Sequence, residues 1–367
     1  MSRFYVWLCV WFYVWSCCML MAGLWGCTDI ITLPYPEGEA EKIAISASVV
    51  HSKPVHILVQ VSEVATDLNT QRVPPPIEDA VVQVLDAEGR ALLVPGLGNG
   101  RYELWYDEAG EVQFEVGEAY RLEVVLPDGR TYASAAAHLP APLAPDSVRV
   151  RAFTRTLLNE VENPVERTFL RFMIDTPVRY ADGSPAYLLW RFESVYKFSE
   201  LDPPGIAGPN FCFVELPINL DKVSAFSGAV SVAAYGDSLA MFEMASGSIF
   251  SEGMYLTTYQ HTITADAHTY WDQVRRVSDR RGGQFDPPPG PIASNIVCVS
   301  DPGSEVLGYF YAASVDTIRR KVLWQEAGQP KLYCSSYAAF DYFEAPLICR
   351  NCLEIDNSNY ERPDYWK

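Results

Sequence analysis

Positive charge is scarce in this sequence. Its 28 Lys and Arg stand against 46 Asp and Glu, for a net charge of −18. No basic patch with interleaved aromatics appears along the chain, which argues against nucleic acid as a partner. The acidic excess is ascribed to solubility. Enzyme signatures are missing too. There is no Gly-x-Ser-x-Gly elbow, no His-Glu-x-x-His, no phosphate-binding glycine loop and no dinucleotide fingerprint. The five histidines, at 51, 56, 138, 261 and 268, never fall at zinc-finger spacing. No catalytic residue, metal or cofactor is therefore expected. Beyond residue 27 no apolar run is long enough to span a bilayer.

The apolar run that is present opens the chain. Arg3 is followed by uncharged residues from Phe4 to Gly26, dominated by Trp, Phe, Tyr, Val, Leu and Met. That is the layout of a signal peptide. Leu24-Trp25-Gly26-Cys27 resembles a bacterial lipobox, with Trp25 where a small residue is usual. Cleavage before Cys27 with lipid on its sulfur would hold the protein on a membrane by acyl chains. An uncut anchor helix is the alternative. Residues 1–26 are thus a lipoprotein signal peptide, and residues 27–40, with two prolines and several acids, an extended tether. Export places the remaining cysteines where disulfides persist.

From residue 41 the pattern alternates apolar with polar. The runs "KIAISASVV", "HILVQVS", "AVVQVLDAEGRALLV", "GRYELWY" and "YRLEVVLPDGRTYASAAA" are broken by Glu88-Gly89, Asn99-Gly100 and Asp128-Gly129. Short strands at this spacing predict an Ig-like β-sandwich over 41–138. Three prolines in 139–147 mark a linker. Residues 148–367 read as a larger β-rich domain with one or two helices. Its strands are "SVRVRAF", "RTFLRFMID", "AYLLWRFESVYKF", "SGAVSVAAYG", "MYLTTYQHTIT" and "VLGYFYAASVDTIRRKVLW". The spacing of Ala267, Tyr270, Trp271, Val274 and Val277 predicts a helix from Asp266 to Arg281. "DPPPGP" reads as a stiff strap. The fold class is all-β.

Ordered motifs run through this mature chain: "LPYPEGE", "IEDAVVQVLDAEG", "GNGRYELWY", Tyr270-Trp271, "GGQFDPPPGPIASNI", "EVLGYFYAASV" and the tail "CRNCLEIDNSNYERPDYW". In them the chain resembles the Bacteroidota outer-membrane lipoproteins grouped as domain of unknown function 4249 (DUF4249). The resemblance implies an outer-membrane location and the company of TonB-dependent receptors. It implies no reaction.

Five cysteines follow Cys27, an odd number, so at most two disulfides form. The Cys349-x-x-Cys352 pair lacks the partners of a zinc site and the helix start of a redox site. A staple on the chain end is the expected role. A bridge within the pair would close a very short loop. Cys334 is expected to join one of the two and Cys212 the other. Cys298 stands where the family pattern has no cysteine and is expected to stay a free thiol. Pro363, Tyr365 and Trp366 are expected to dock on the second domain, since a free tail gains nothing from Trp. The functional expectation is a lipid-anchored, outward-facing outer-membrane protein for binding or assembly, with no ligand specified. The rival is a surface hydrolase of glycan or peptide built from scattered carboxylates.

Overall fold

Alternation decides the local structure, and the first hairpin shows how. Val55, Ile57, Val59 and Val61 are fully buried on the strand Val55–Glu63, while the residues between them are at least partly accessible. Each such side chain removed from water contributes about 1.5–3 kcal/mol. Left-handed Gly89, Asn99, Gly100 and Gly129 sit in the turns expected from sequence. These are conformations that Gly and Asn adopt at least cost.

The computed structural model describes residues 42–64, 75–203, 210–218, 223–278, 292–337 and 342–367. The signal segment, Cys27, the tether, Gly282-Gly283, Phe285 and "DPPPGP" lie outside them. The fold is all-β, with three sheets, the one described α-helix Ala265–Ser278, and short 3-10 turns.

An eleven-stranded sheet forms the spine. Its middle is a parallel contact between Ile43–His51 and Phe310–Val322, strands from opposite ends of the chain. Gly308 permits that contact. Its φ is +98°, and a Cβ there would lie 2.0 Å from the Ile45 carbonyl oxygen. The "EVLGYFYAASV" motif thus carries the glycine that lets the two strands lie side by side.

Two smaller sheets pack on the spine. A six-stranded one closes the first core, where Val82, Val84, Leu122, Val124 and Tyr132 meet Ile45, Val49, Ile57 and Val59. A three-stranded one, Ser147–Leu158, Pro164–Pro177 and Tyr235–Ala245, closes the second. There Leu170, Phe172 and Ile174 face Trp190, Phe192 and Leu256. Leu139 belongs to the first core and Val148 to the second, at either end of the proline-rich stretch 139–147. The hydrogen bonding, however, crosses it. Ile296, Cys298, Phe310 and Ala312 belong to the first core, so residues 41–138 do not close that sandwich alone. Residues 41–367 form one compact unit.

Candidate binding surface

The four cysteines considered for stapling are joined as Cys212–Cys352 and Cys334–Cys349, with Cα separations of 5.9 and 5.6 Å. Cys298 is free and buried. Glu200 lies beside Cys212 and Cys352 in an arrangement with metal-like geometry. Its Oε1 accepts the Cys352 backbone N–H at 2.6 Å, and both sulfurs are consumed in the disulfide. This group is a capped staple.

Beyond the staple the tail lies on the spine face turned away from the cores. Trp366 is buried against Phe213 and Tyr255, at ring separations of 4.9 and 5.0 Å. Tyr365 stacks edge-on to Tyr255 and under the Arg319 guanidinium. Half-buried Pro363 accepts the Trp366 N–H in the turn that aims the rings inward.

The helix covers the middle of the same face. Ala267 is buried against Leu189, Ile263, Tyr311 and Ala313. Tyr270 stacks on Tyr309, and Trp271 meets Tyr311 edge-on beneath Arg191. Val277, expected on this buried stripe, is instead exposed. Near the helix His261 is buried, and its Nδ1 has no partner. Burial first, then repulsion from Arg191 and His56, lowers its pKa to about 3. His268 shifts the same way through burial.

The consequence has a definite sign. Below about pH 6.5 the unfolded chain protonates His261 and the folded chain does not, so stability falls as pH drops. Between pH 7 and pH 5 the loss is expected to be about 2 kcal/mol from this residue. Denaturant titrations at the two pH values measure it. His261→Leu is expected to shrink the difference. An unchanged difference would rule out His261 as the source.

A shallow cleft of about 370 Å³ is lined by Glu78, Asp79, Gly96, Gly98, Gly100 and Arg101. Both of its carboxylates are exposed, and Glu78 accepts the Asn99 backbone N–H at 3.0 Å. An exposed carboxylate engaged in a turn is poorly suited to general acid or base work, which favours a shielded, pKa-shifted group.

The three-stranded sheet carries a different surface. Its hairpin pairs Arg151 with Arg171, Phe153 with Phe169 and Arg155 with Arg167. By alternation all six side chains share the face away from the second core. The two rings stack at 5.9 Å. The Arg155 guanidinium lies 5.3 and 5.0 Å from their centroids, and that of Arg171 5.1 Å from Phe153. Glu243 on the neighbouring strand binds Arg155 at 2.8 Å and Arg171 at 2.6 Å. Burial would raise its carboxyl pKa, but hydrogen bonds from Arg171 and Arg155 hold it below the ordinary value. Among the described residues no ion pair or hydrogen bond of the Arg151 or Arg167 side chain is found. A basic patch with interleaved aromatics therefore exists, contrary to the linear reading. Its arginines come from two strands and assemble only in register.

Like charges directly opposite on a sheet destabilise it. Arg151 against Arg171 and Arg155 against Arg167 present that situation twice, with one carboxylate shared by two of the four. Chemically the face offers planar guanidinium donors around an apolar centre, a combination suited to binding carboxylate or phosphate groups.

No helix among the described residues is long and apolar enough to cross a membrane. No curated protein and no solved structure matches the chain. A family model matches residues 28–319 and stops short of Cys334, Cys349, Cys352 and the docked tail. The chain belongs to the family described as Domain of unknown function (DUF4249).

Proposed function

We propose that this chain is a lipid-anchored outer-membrane protein that binds or assembles with a partner at the cell surface, as an accessory to a TonB-dependent transporter. The observation that carries the reading is the arginine–phenylalanine face. An acidic protein keeps four guanidinium groups on one exposed patch, set against one another as two like-charged pairs, where solubility alone asks for no such arrangement. A binding partner that neutralises the patch supplies the missing reason. The anchor rests on the apolar segment and Leu24-Trp25-Gly26-Cys27.

The anchor is tested by Cys27→Ala in the native host with a labelled fatty acid. Lipid labelling is expected to vanish, with the protein either released from the membrane fraction or held as unprocessed precursor. Normal labelling of the variant would remove the anchor from the proposal. The binding role is tested by purifying the chain from native outer membranes at low salt. An outer-membrane protein at fixed stoichiometry, lost on raising the salt, is the expected result.

A further inference from the structure

Besides its charge, the patch has an unused backbone edge. Ser147–Leu158 is the outer strand of the three-stranded sheet, paired on one side with Pro164–Pro177. Among the described residues no strand pairs with its other side. Twelve residues make it long for an edge strand, and such an edge is a template for another extended chain. Its far half projects beyond the second core, and residues 154–156 and 166–167 are exposed on both faces of the hairpin. The tip is a fixed turn. Asn159 Oδ1 accepts the Val161 and Asn163 N–H groups, and Leu158 and Val161 are exposed.

We propose that this edge captures an extended acidic polypeptide segment as an added strand. The proposal rests on the binding reading above and names the chemical class of the partner. Backbone groups of the segment would pair with the free edge of Ser147–Leu158. Alternate side chains of an added strand recur about every 6.6–6.8 Å on one face. A segment with acidic residues flanking an apolar one, each two positions apart, therefore matches Arg151, Phe153 and Arg155 along the edge. Arg167 and Arg171 stand one strand further in, within reach of longer carboxylates. Each carboxylate would gain charge-assisted hydrogen bonds, and the apolar residue would cover the Phe153–Phe169 pair.

Two observations favour polypeptide over other polyanions. Only a polypeptide can satisfy the backbone donors and acceptors of a sheet edge. An anionic lipid surface approaching the tip would meet Glu160, Glu162 and Glu166 first, and like charge would oppose it.

The test uses the full chain in detergent and a synthetic ten-residue peptide with glutamate, leucine and glutamate at alternate central positions. Binding is measured by fluorescence anisotropy at low salt. Arg151→Ala with Arg167→Ala removes two groups with no ion pair or hydrogen bond among the described residues and relieves both like-charge oppositions, so the variant should melt no lower than the parent. The expected result is saturable binding weakened about tenfold or more in the double variant. Two N-methylated peptides separate strand addition from charge alone. Methylation on alternate residues in one phase should abolish binding, and in the other phase should spare it. Four results would overturn the proposal: no peptide binding, binding unchanged in the double variant, equal binding of both methylated forms, or arginine-dependent binding of anionic vesicles or a single-stranded oligonucleotide in place of the peptide. If the peptide fails while the chain from native membranes still carries a stoichiometric partner, the strand-addition proposal falls and the binding role stands. If no partner is found either, both fall.

Discussion

Replacing Cys212 and Cys352 together by alanine is expected to lower the stability of the folded chain by about 4 kcal/mol. The bridge spans 140 residues, and cross-linking so long a loop removes much entropy from the unfolded chain. For a loop of about 100 residues the chain-entropy estimate is near 4.7 kcal/mol. Both ends are anchored in the second core, where Cys212 and Cys352 are fully buried. Cys212 sits on Phe211–Pro217, whose neighbours Phe213 and Val214 pair with Asn359 and Ser358 from the segment after the staple. Loss of the bridge therefore frees the strand and the tail together. The melting temperature should fall by on the order of 10 °C. A reductant should lower the melting temperature of the parent further than that of the double variant. Equal melting of parent and variant under oxidising conditions would refute the stabilising role. Cys334–Cys349 spans only 15 residues, for which the same estimate gives about 3 kcal/mol, so its removal should cost less.

Trp366→Ala should destabilise the isolated protein by about 3 kcal/mol, the lower end of the range for large aromatic truncations in a packed site. Trp366 is buried, and it completes a small cluster with Val195 and Phe213. Arg362 reinforces it by donating to the Trp366 carbonyl at 2.8 Å. Deleting residues 363–367 should have at least the same effect. The measurement is a denaturant melt with no membrane or partner present. A tail that served only as a tag for another protein would leave that melt unchanged while abolishing assembly, and such a pair of results would contradict docking.

Much of the strand content was legible because burial on a sheet imposes a period of two. Val55 to Val61 and Tyr120 to Val124 declare themselves by alternation, and Gly89, Gly100 and Gly129 mark the turns. Competition between equally good local patterns explains one failure. "SGAVSVAAYG" alternates well, yet Val230 and Val232 are exposed and the strand runs from Tyr235 to Ala245. Close packing decides there. A Cβ on Gly228 would lie 2.0 Å from the Val178 carbonyl oxygen, and the chain makes a tight turn at that point. The strand Phe211–Pro217 was missed because its run is short and begins beside prolines.

Long-range pairing was beyond reach for a different reason. Nothing local in "KIAISASVV" or "YFYAASV" signals that they lie parallel in one sheet. The arginine–phenylalanine face fails on the same ground. "RAFTR" and "RTFLR" are each unremarkable, and only the register that sets Phe153 opposite Phe169 turns them into a patch. Tyr365 and Trp366 differ from these, because an aromatic ring has a large apolar area to bury wherever it stands in the sequence.

The binding role is tested most directly by site-specific photo-crosslinking in living cells. A photoreactive residue is placed at Phe153, with a control at Trp105, which is exposed on a different sheet. Position 153 is expected to form a covalent adduct with one outer-membrane protein, lost when Arg151 and Arg167 are both alanine, while position 105 gives none. No adduct at position 153, or the same adducts from both positions, would contradict a binding role for this face.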